Sequence, residues 1–145
     1  MIAVRTAGAA DAGALAELSA QLGYPADSAA VAARLARVRA DPAAGEVFVA
    51  VDAHGRVTGW THVAARLNLE EAPFTELAGL VVDAAARGHG VGVALLRAAE
   101  EWSRAQGFAR LRVRSNVLRE RAHRFYRRQG YAETKRQVVF DRLLT

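Results

Sequence analysis

At 145 residues, with 20 Lys and Arg against 15 Asp and Glu, the chain is expected to form one domain, spanning residues 1–145, that buries roughly two-thirds of its unfolded surface. The absence of cysteine excludes disulfides, thiolate metal sites and any acyl-enzyme formed on a cysteine. The net charge of +5 is unevenly spread: residues 1–86 carry 6 basic and 10 acidic side chains, whereas residues 87–145 carry 14 and 5.

The N-terminal, Ala-rich segment is interrupted by Arg5, Asp11 and Glu17, unlike a secretory leader, and no stretch approaches the ~20 apolar residues of a membrane span. A cytoplasmic protein is the expectation. Residues 2–5 alternate as a short strand, and Asp11 opens a helix with Leu15, Leu18 and Leu22 on one face, stopped by Gly23-Tyr24-Pro25. Ser28, preceded by Asp27, is expected to cap a second helix whose Val31, Leu35 and Val38 face inward, and Asp41-Pro42 ends it. Residues 46–51 and 56–65 read as two apolar strands joined by the hairpin turn Asp52-Ala53-His54-Gly55. Trp60 and His62 share a face of the second strand, where core packing is the plainer role for both. A loop, residues 66–73, carries Glu70-Glu71, and residues 74–82 form the next strand.

That strand ends Leu80-Val81-Val82-Asp83 and runs into Arg87-Gly88-His89-Gly90-Val91-Gly92 and then a helix over residues 92–106, expected to bury Val91, Leu95, Ala98, Trp102 and Ala105. A glycine turn at a helix N-terminus suits a pyrophosphate. The first helical N–H groups lack internal partners, the macrodipole places about half a positive charge there, and glycine lets an anion approach the backbone. A Walker A loop would need Lys and then Ser or Thr after its last glycine, but Val93 and Ala94 follow Gly92. A dinucleotide fingerprint needs a third spaced glycine and an acidic residue closing the next strand; that strand, residues 110–115, ends Ser115-Asn116. Its Arg110, Arg112 and Arg114 alternate with Leu111, Val113 and Ser115, so one of its faces is not plain apolar core. A helix over residues 118–128 follows, rich in arginine, and residues 131–145, with apolar Val138-Val139-Phe140, are expected to hold a last strand or pair of strands.

The motif Arg-x-x-Gly-x-Gly, spelled by Arg87, Gly90 and Gly92 behind that strand, resembles the acyl-CoA pyrophosphate loop of the GNAT superfamily of N-acetyltransferases. A second block strengthens the resemblance: Asn116, Ala122, Phe125-Tyr126 and Gly130-Tyr131. The segment from Arg114 to Tyr126, with Thr134-Lys135 and Val139-Phe140 after it, is similar to small bacterial members grouped loosely near the aminoglycoside 6′-N-acetyltransferases. The resemblance implies a mixed α/β, mostly antiparallel sheet of six to seven strands, splayed at the cofactor site and flanked by about four helices. It also implies acetyl-CoA as cosubstrate, direct transfer to a primary amine of a small molecule or protein, and a homodimer. Leu80, Val81, Val82, Arg87, Gly88, His89, Gly90, Val91, Gly92, Asn116 and Phe125 become the expected cofactor contacts. Glu76 is the candidate base, Tyr126 the candidate acid for the leaving thiolate, and the Val82 amide a candidate donor to the thioester oxygen. Tyr24, Trp60, Glu70 and Glu71 are candidate acceptor contacts, the acidic pair suiting a cationic amine.

Two other readings compete. An acyl-CoA sensor would keep the glycines and Asn116 but not need Glu76 or Tyr126. A nucleic-acid binder would explain the basic half, but its arginines are interspersed with acids and lack aromatic interleaving. The four histidines have no metal-ligand spacing, so no metal is expected.

Overall fold

A computed structural model describes residues 2–145. Two compact units emerge, one ending at Arg114 and the other Ser115–Thr145, and each is described by itself. In the first unit the element order is β1 (Ala3–Thr6), α1 (Ala12–Gln21), α2 (Ser28–Arg39), β2 (Gly45–Val51), β3 (Val57–Arg66), β4 (Phe74–Val82), α3 (Val91–Ala105) and β5 (Leu111–Val113). The second unit holds α4 (Glu120–Arg128).

The five strands make one sheet in the order β1-β2-β3-β4-β5, antiparallel from β1 to β4 and parallel between β4 and β5. The hairpin between β2 and β3 is closed by Asp52, whose carboxylate accepts from the N–H groups of His54 and Arg56 at 2.9 and 3.0 Å, with Gly55 at φ +80°. One face of the sheet packs on α3: Ala50, Val91 and Leu95 are buried together, with Phe48, Leu80 and Val82 against them. The other face meets α1 and α2, where Leu15, Leu35, Val47 and Val49 form a core joined by Val31, Val38 and Trp60. Gly59 is required where α3 crosses. A side chain there would meet the Val81 carbonyl at 2.8 Å and Leu95 and Val91 at 3.0 Å.

Several expectations change. The sheet has five strands among the described residues, not six to seven: residues 131–145 form no regular element, and Val138, Val139 and Phe140 are 76%, 81% and 89% exposed. Asp27 rather than Ser28 caps α2, accepting from the Ala30 N–H at 2.7 Å. The buried stripe of α3 is also rotated from the expected one. Val91, Leu95, Leu96, Ala99 and Ser103 face inward, while Ala98, Trp102 and Ala105 line a shallow surface groove with Val4 and Phe48. Ser103 is tolerated because its hydroxyl donates to the Ala99 carbonyl at 2.8 Å and lies 2.7 Å from the Thr75 hydroxyl.

Candidate functional site

The glycine turn is built from both ends. A short 3₁₀ turn, Ala84–Ala86, follows β4, and Asp83 caps it by accepting from the Ala85 N–H at 3.1 Å. Gln21, the last residue of α1, ties this turn down: its side-chain Oε1 accepts from the Ala84 N–H at 3.0 Å and its Nε2 donates to Asp83 Oδ1 at 3.4 Å. Gly88 and Gly90 both take left-handed backbone, φ +83° and +84°, which side chains rarely adopt. Gly90 caps α3, and the first helical bond runs from the Ala94 N–H to the Gly90 carbonyl at 3.0 Å. The N–H groups of Val91, Gly92 and Val93 therefore have no intrahelical acceptor. Arg87 and His89 are exposed on the turn, and a His89 ring nitrogen lies 3.2 Å from the Ala86 carbonyl. The donor set, backbone amides on a helix N-terminus beside glycines that present no Cβ, fits a diphosphate.

The sheet opens beside this turn. Pairing of β4 with β5 covers only Thr75–Leu111, Glu76–Arg112 and Leu77–Val113. At that point β4 carries a bulge: Leu77 faces Val63 and Gly79 faces His62, so Ala78 between them has no partner on β3. The Asp83 N–H donates to the Thr58 carbonyl of β3 at 2.8 Å. Because successive N–H groups along a strand point to opposite edges, the amides of Leu80 and Val82 face away from β3, along the edge that β5 leaves unpaired. Such an edge can take the amides of an extended ligand arm as a substitute strand.

On the face opposite α3, around the start of that opening, lie Trp60, His62, Arg66, Glu76, Arg112 and Arg114. The Trp60 ring spreads over Gly79, where a Cβ would meet ring atoms at 2.6 and 2.7 Å, and its Nε1 is buried without a hydrogen-bond partner among the described residues. Burial pushes the His62 imidazole below its ordinary value of 6.5, with the Arg66 charge acting the same way and Glu46 opposing. Glu76 is held between two guanidiniums, Arg66 at 3.3 Å and Arg114 at 2.7 Å. Glu71 takes Arg112 in a two-pronged pair at 2.6 and 3.1 Å, with Arg110 at 4.0 Å, and the Arg112 guanidinium stacks 4.1 Å from the centre of the Phe74 ring. The polar face of β5 thus exists to meet Glu71 and Glu76. Its alternation was readable in the sequence, but its partners come from the β4–β5 register and the loop before β4. Glu70 is exposed in that loop, and Tyr24 is 66% exposed between α1 and α2.

In the second unit, Asn116 organises the start of α4. Its side chain accepts from the Leu118 N–H at 2.9 Å, its carbonyl accepts from the Arg119 N–H at 3.0 Å, and a His123 ring nitrogen lies 2.9 Å from that carbonyl. His123 is thereby a local brace. Phe125 and Tyr126 meet edge to face at 5.3 Å, and Tyr126 and Tyr131 at 6.0 Å. Burial pushes the Tyr126 phenol up to about 12 against the opposing charge of Arg119. The phenol is therefore a proton donor, not a phenolate, throughout the neutral range.

The sequence matches the acetyltransferase (GNAT) family over residues 14–131. It is 37% identical to an aminoglycoside N(6′)-acetyltransferase type 1 of Stenotrophomonas maltophilia, across 94% of this chain and 90% of that protein. An aminoalkylphosphonate N-acetyltransferase of Salmonella typhimurium is 35% identical over 56% of this chain and 53% of that protein. The crystal structure of an aminoglycoside antibiotic 6′-N-acetyltransferase from Acinetobacter baumannii superposes with a TM-score of 0.86 at 15% identity, covering 100% of both chains, a likeness of fold.

Proposed function

We propose that this chain, which belongs to the acetyltransferase (GNAT) family, is an acetyl-CoA-dependent N-acetyltransferase that acts by direct transfer on a primary amine, most simply that of a small molecule. The observation that carries the reading is the opening of the sheet past Leu77, which leads along the unpaired edge of β4 into the Gly88 and Gly90 turn. Both curated relatives named above are N-acetyltransferases whose substrate names carry an amino group, which supports an amine acceptor.

Acetyl-CoA, when bound, supplies an activated acyl thioester. The amides of Val91, Gly92 and Val93, with the exposed Arg87, would hold its diphosphate. The N–H groups of Leu80 and Val82 would hold the arm, and that of Val82 is the candidate donor to a developing negative charge on oxygen. Asn116 and Phe125 remain the family-implied contacts in the second unit. Tyr126, held protonated by burial, would give the leaving thiolate its proton. Both oxygens of Glu76 already accept from guanidiniums. A proton leaving the amine would reach it by way of water or in exchange for one of those bonds. Positioning outweighs either proton transfer here, since holding two reactants in line can supply ~7 to 11 kcal/mol. The reading extends to a cytoplasmic homodimer, with the exposed Val138, Val139 and Phe140 as surface for a second copy; sedimentation at the mass of one chain would remove that part.

Release of free thiol from acetyl-CoA, followed across a panel of amines, tests the whole. Amine-dependent release is the expected result. Binding of acetyl-CoA with no release against any small or peptidyl amine would mark a sensor instead.

A further inference from the structure

We infer that the amine acceptor also carries an acidic group, a carboxylate, phosphate or phosphonate, and that Arg66 and Arg114 hold it; this rests on the acetyltransferase reading and names the substrate class of the same site. Around the start of the opening between β4 and β5, the carboxylates that would attract a polycation are already engaged. Glu76 is shared between Arg66 and Arg114, and Glu71 between Arg110 and Arg112. Four guanidiniums therefore meet two carboxylates in one patch, so each of those carboxylates is shared by a pair of arginines.

A polycationic acceptor would have to displace these arginines and would meet their repulsion. An acceptor with an anionic end would instead gain charge-assisted hydrogen bonds from groups already in place, for guanidinium is a planar fork of five donors suited to carboxylate and phosphate. Within the patch the arginines divide by exposure. Arg112 is 13% exposed, stacked on Phe74 and committed to Glu71 by two nitrogens, so it scaffolds the loop. Arg66 and Arg114 are 44% and 49% exposed and flank Glu76, two residues before the bulge at Ala78. An acid group held there would leave the amine end of a short molecule directed at the opening.

The experiment compares kcat/KM for 2-aminoethylphosphonate, ethanolamine and kanamycin in the intact protein. The phosphonate is expected to exceed ethanolamine by roughly tenfold or more. Arg114→Gln should lower that ratio about tenfold while Arg114→Lys keeps most of it. The ratio is insensitive to a general loss of active enzyme, so damage to folding does not mimic the result. Preference for kanamycin or ethanolamine, or a ratio unmoved by Arg114→Gln, overturns the inference. Turnover of amines without acid preference defeats this inference alone; failure of acetyl-CoA to bind at all would defeat the acetyltransferase reading and this inference with it.

Discussion

Tyr126 lies on α4 with its ring edge against Phe125 and Tyr131, and burial keeps its phenol protonated up to about 12. Removing only the hydroxyl keeps the packing. Tyr126→Phe should lower turnover by ~10²-fold or more, the usual worth of a positioned acid, while leaving the acetyl-CoA dissociation constant near that of the wild type. Turnover at the wild-type rate would take Tyr126 out of the mechanism. His62 makes a different prediction. Because burial lowers its pKa below 6.5, the folded chain binds fewer protons at this site than the unfolded chain just below that pH. Stability therefore falls as pH drops from about 6.5 toward the depressed folded value. Melting curves of His62→Gln should lose less stability over that window than the wild type. Equal losses would mean that His62 does not titrate differently on folding.

Elements with local signals were legible. The Asp-x-His-Gly hairpin, the glycine turn and the apolar faces of α1 and α2 are fixed by neighbouring residues, and they stand within a residue or two of where the sequence put them. Capping is a local effect too, and the cap of α2 tests it. Asp27→Ala should cost ~1 kcal/mol, within a range of about 0.5 to 2, since the Ala30 N–H loses its acceptor. For a chain of this size that is a fall of roughly 2–4 °C in melting temperature. An unchanged melting temperature would show the cap to be idle.

What was not legible depends on distant partners. The apolar run Val138-Val139-Phe140 reads as a strand, but a strand is made by pairing with a distant neighbour, and residues 131–145 form no regular element among the described residues. On α3, Leu95, Leu96, Ala98, Ala99 and Trp102 cover so wide an arc that the sheet-facing side could not be picked from spacing alone. The small hydroxyl of Ser103 then disguised a buried position whose partner, Thr75, is on β4. Likewise, the Glu70-Glu71 pair reads as a contact for a cationic amine, and nothing near it in the sequence shows that Arg112 of β5 takes Glu71.

At the scale of the whole molecule, the uneven charge takes on a local meaning. The basic second half supplies Arg87 at the glycine turn, Arg112 on β5 and Arg110 and Arg114 at its two ends, and three of these four pair with acids of the first half. Nonspecific polyanion binding would use the same charges and would collapse with salt while being indifferent to acetyl-CoA. A ligand-specific site would instead stabilise the fold by ~2.7 kcal/mol at about one hundred times its dissociation constant.

On the proposed reading, the main chain from Val82 to Val93 forms a receptor for the diphosphate of an acyl-CoA. Gly90 tests it because a β-branched side chain at φ +84° would disturb the backbone at a cost of ~1–2 kcal/mol, too little to unfold an ordinary domain. The measurement is a calorimetric titration of acetyl-CoA into the wild type and into Gly90→Val. One site per chain is expected in the wild type, with affinity weakened by ~100-fold or more in the variant, a loss of about 2.7 kcal/mol. Equal affinity in the two proteins, or no binding to the wild type, would contradict it.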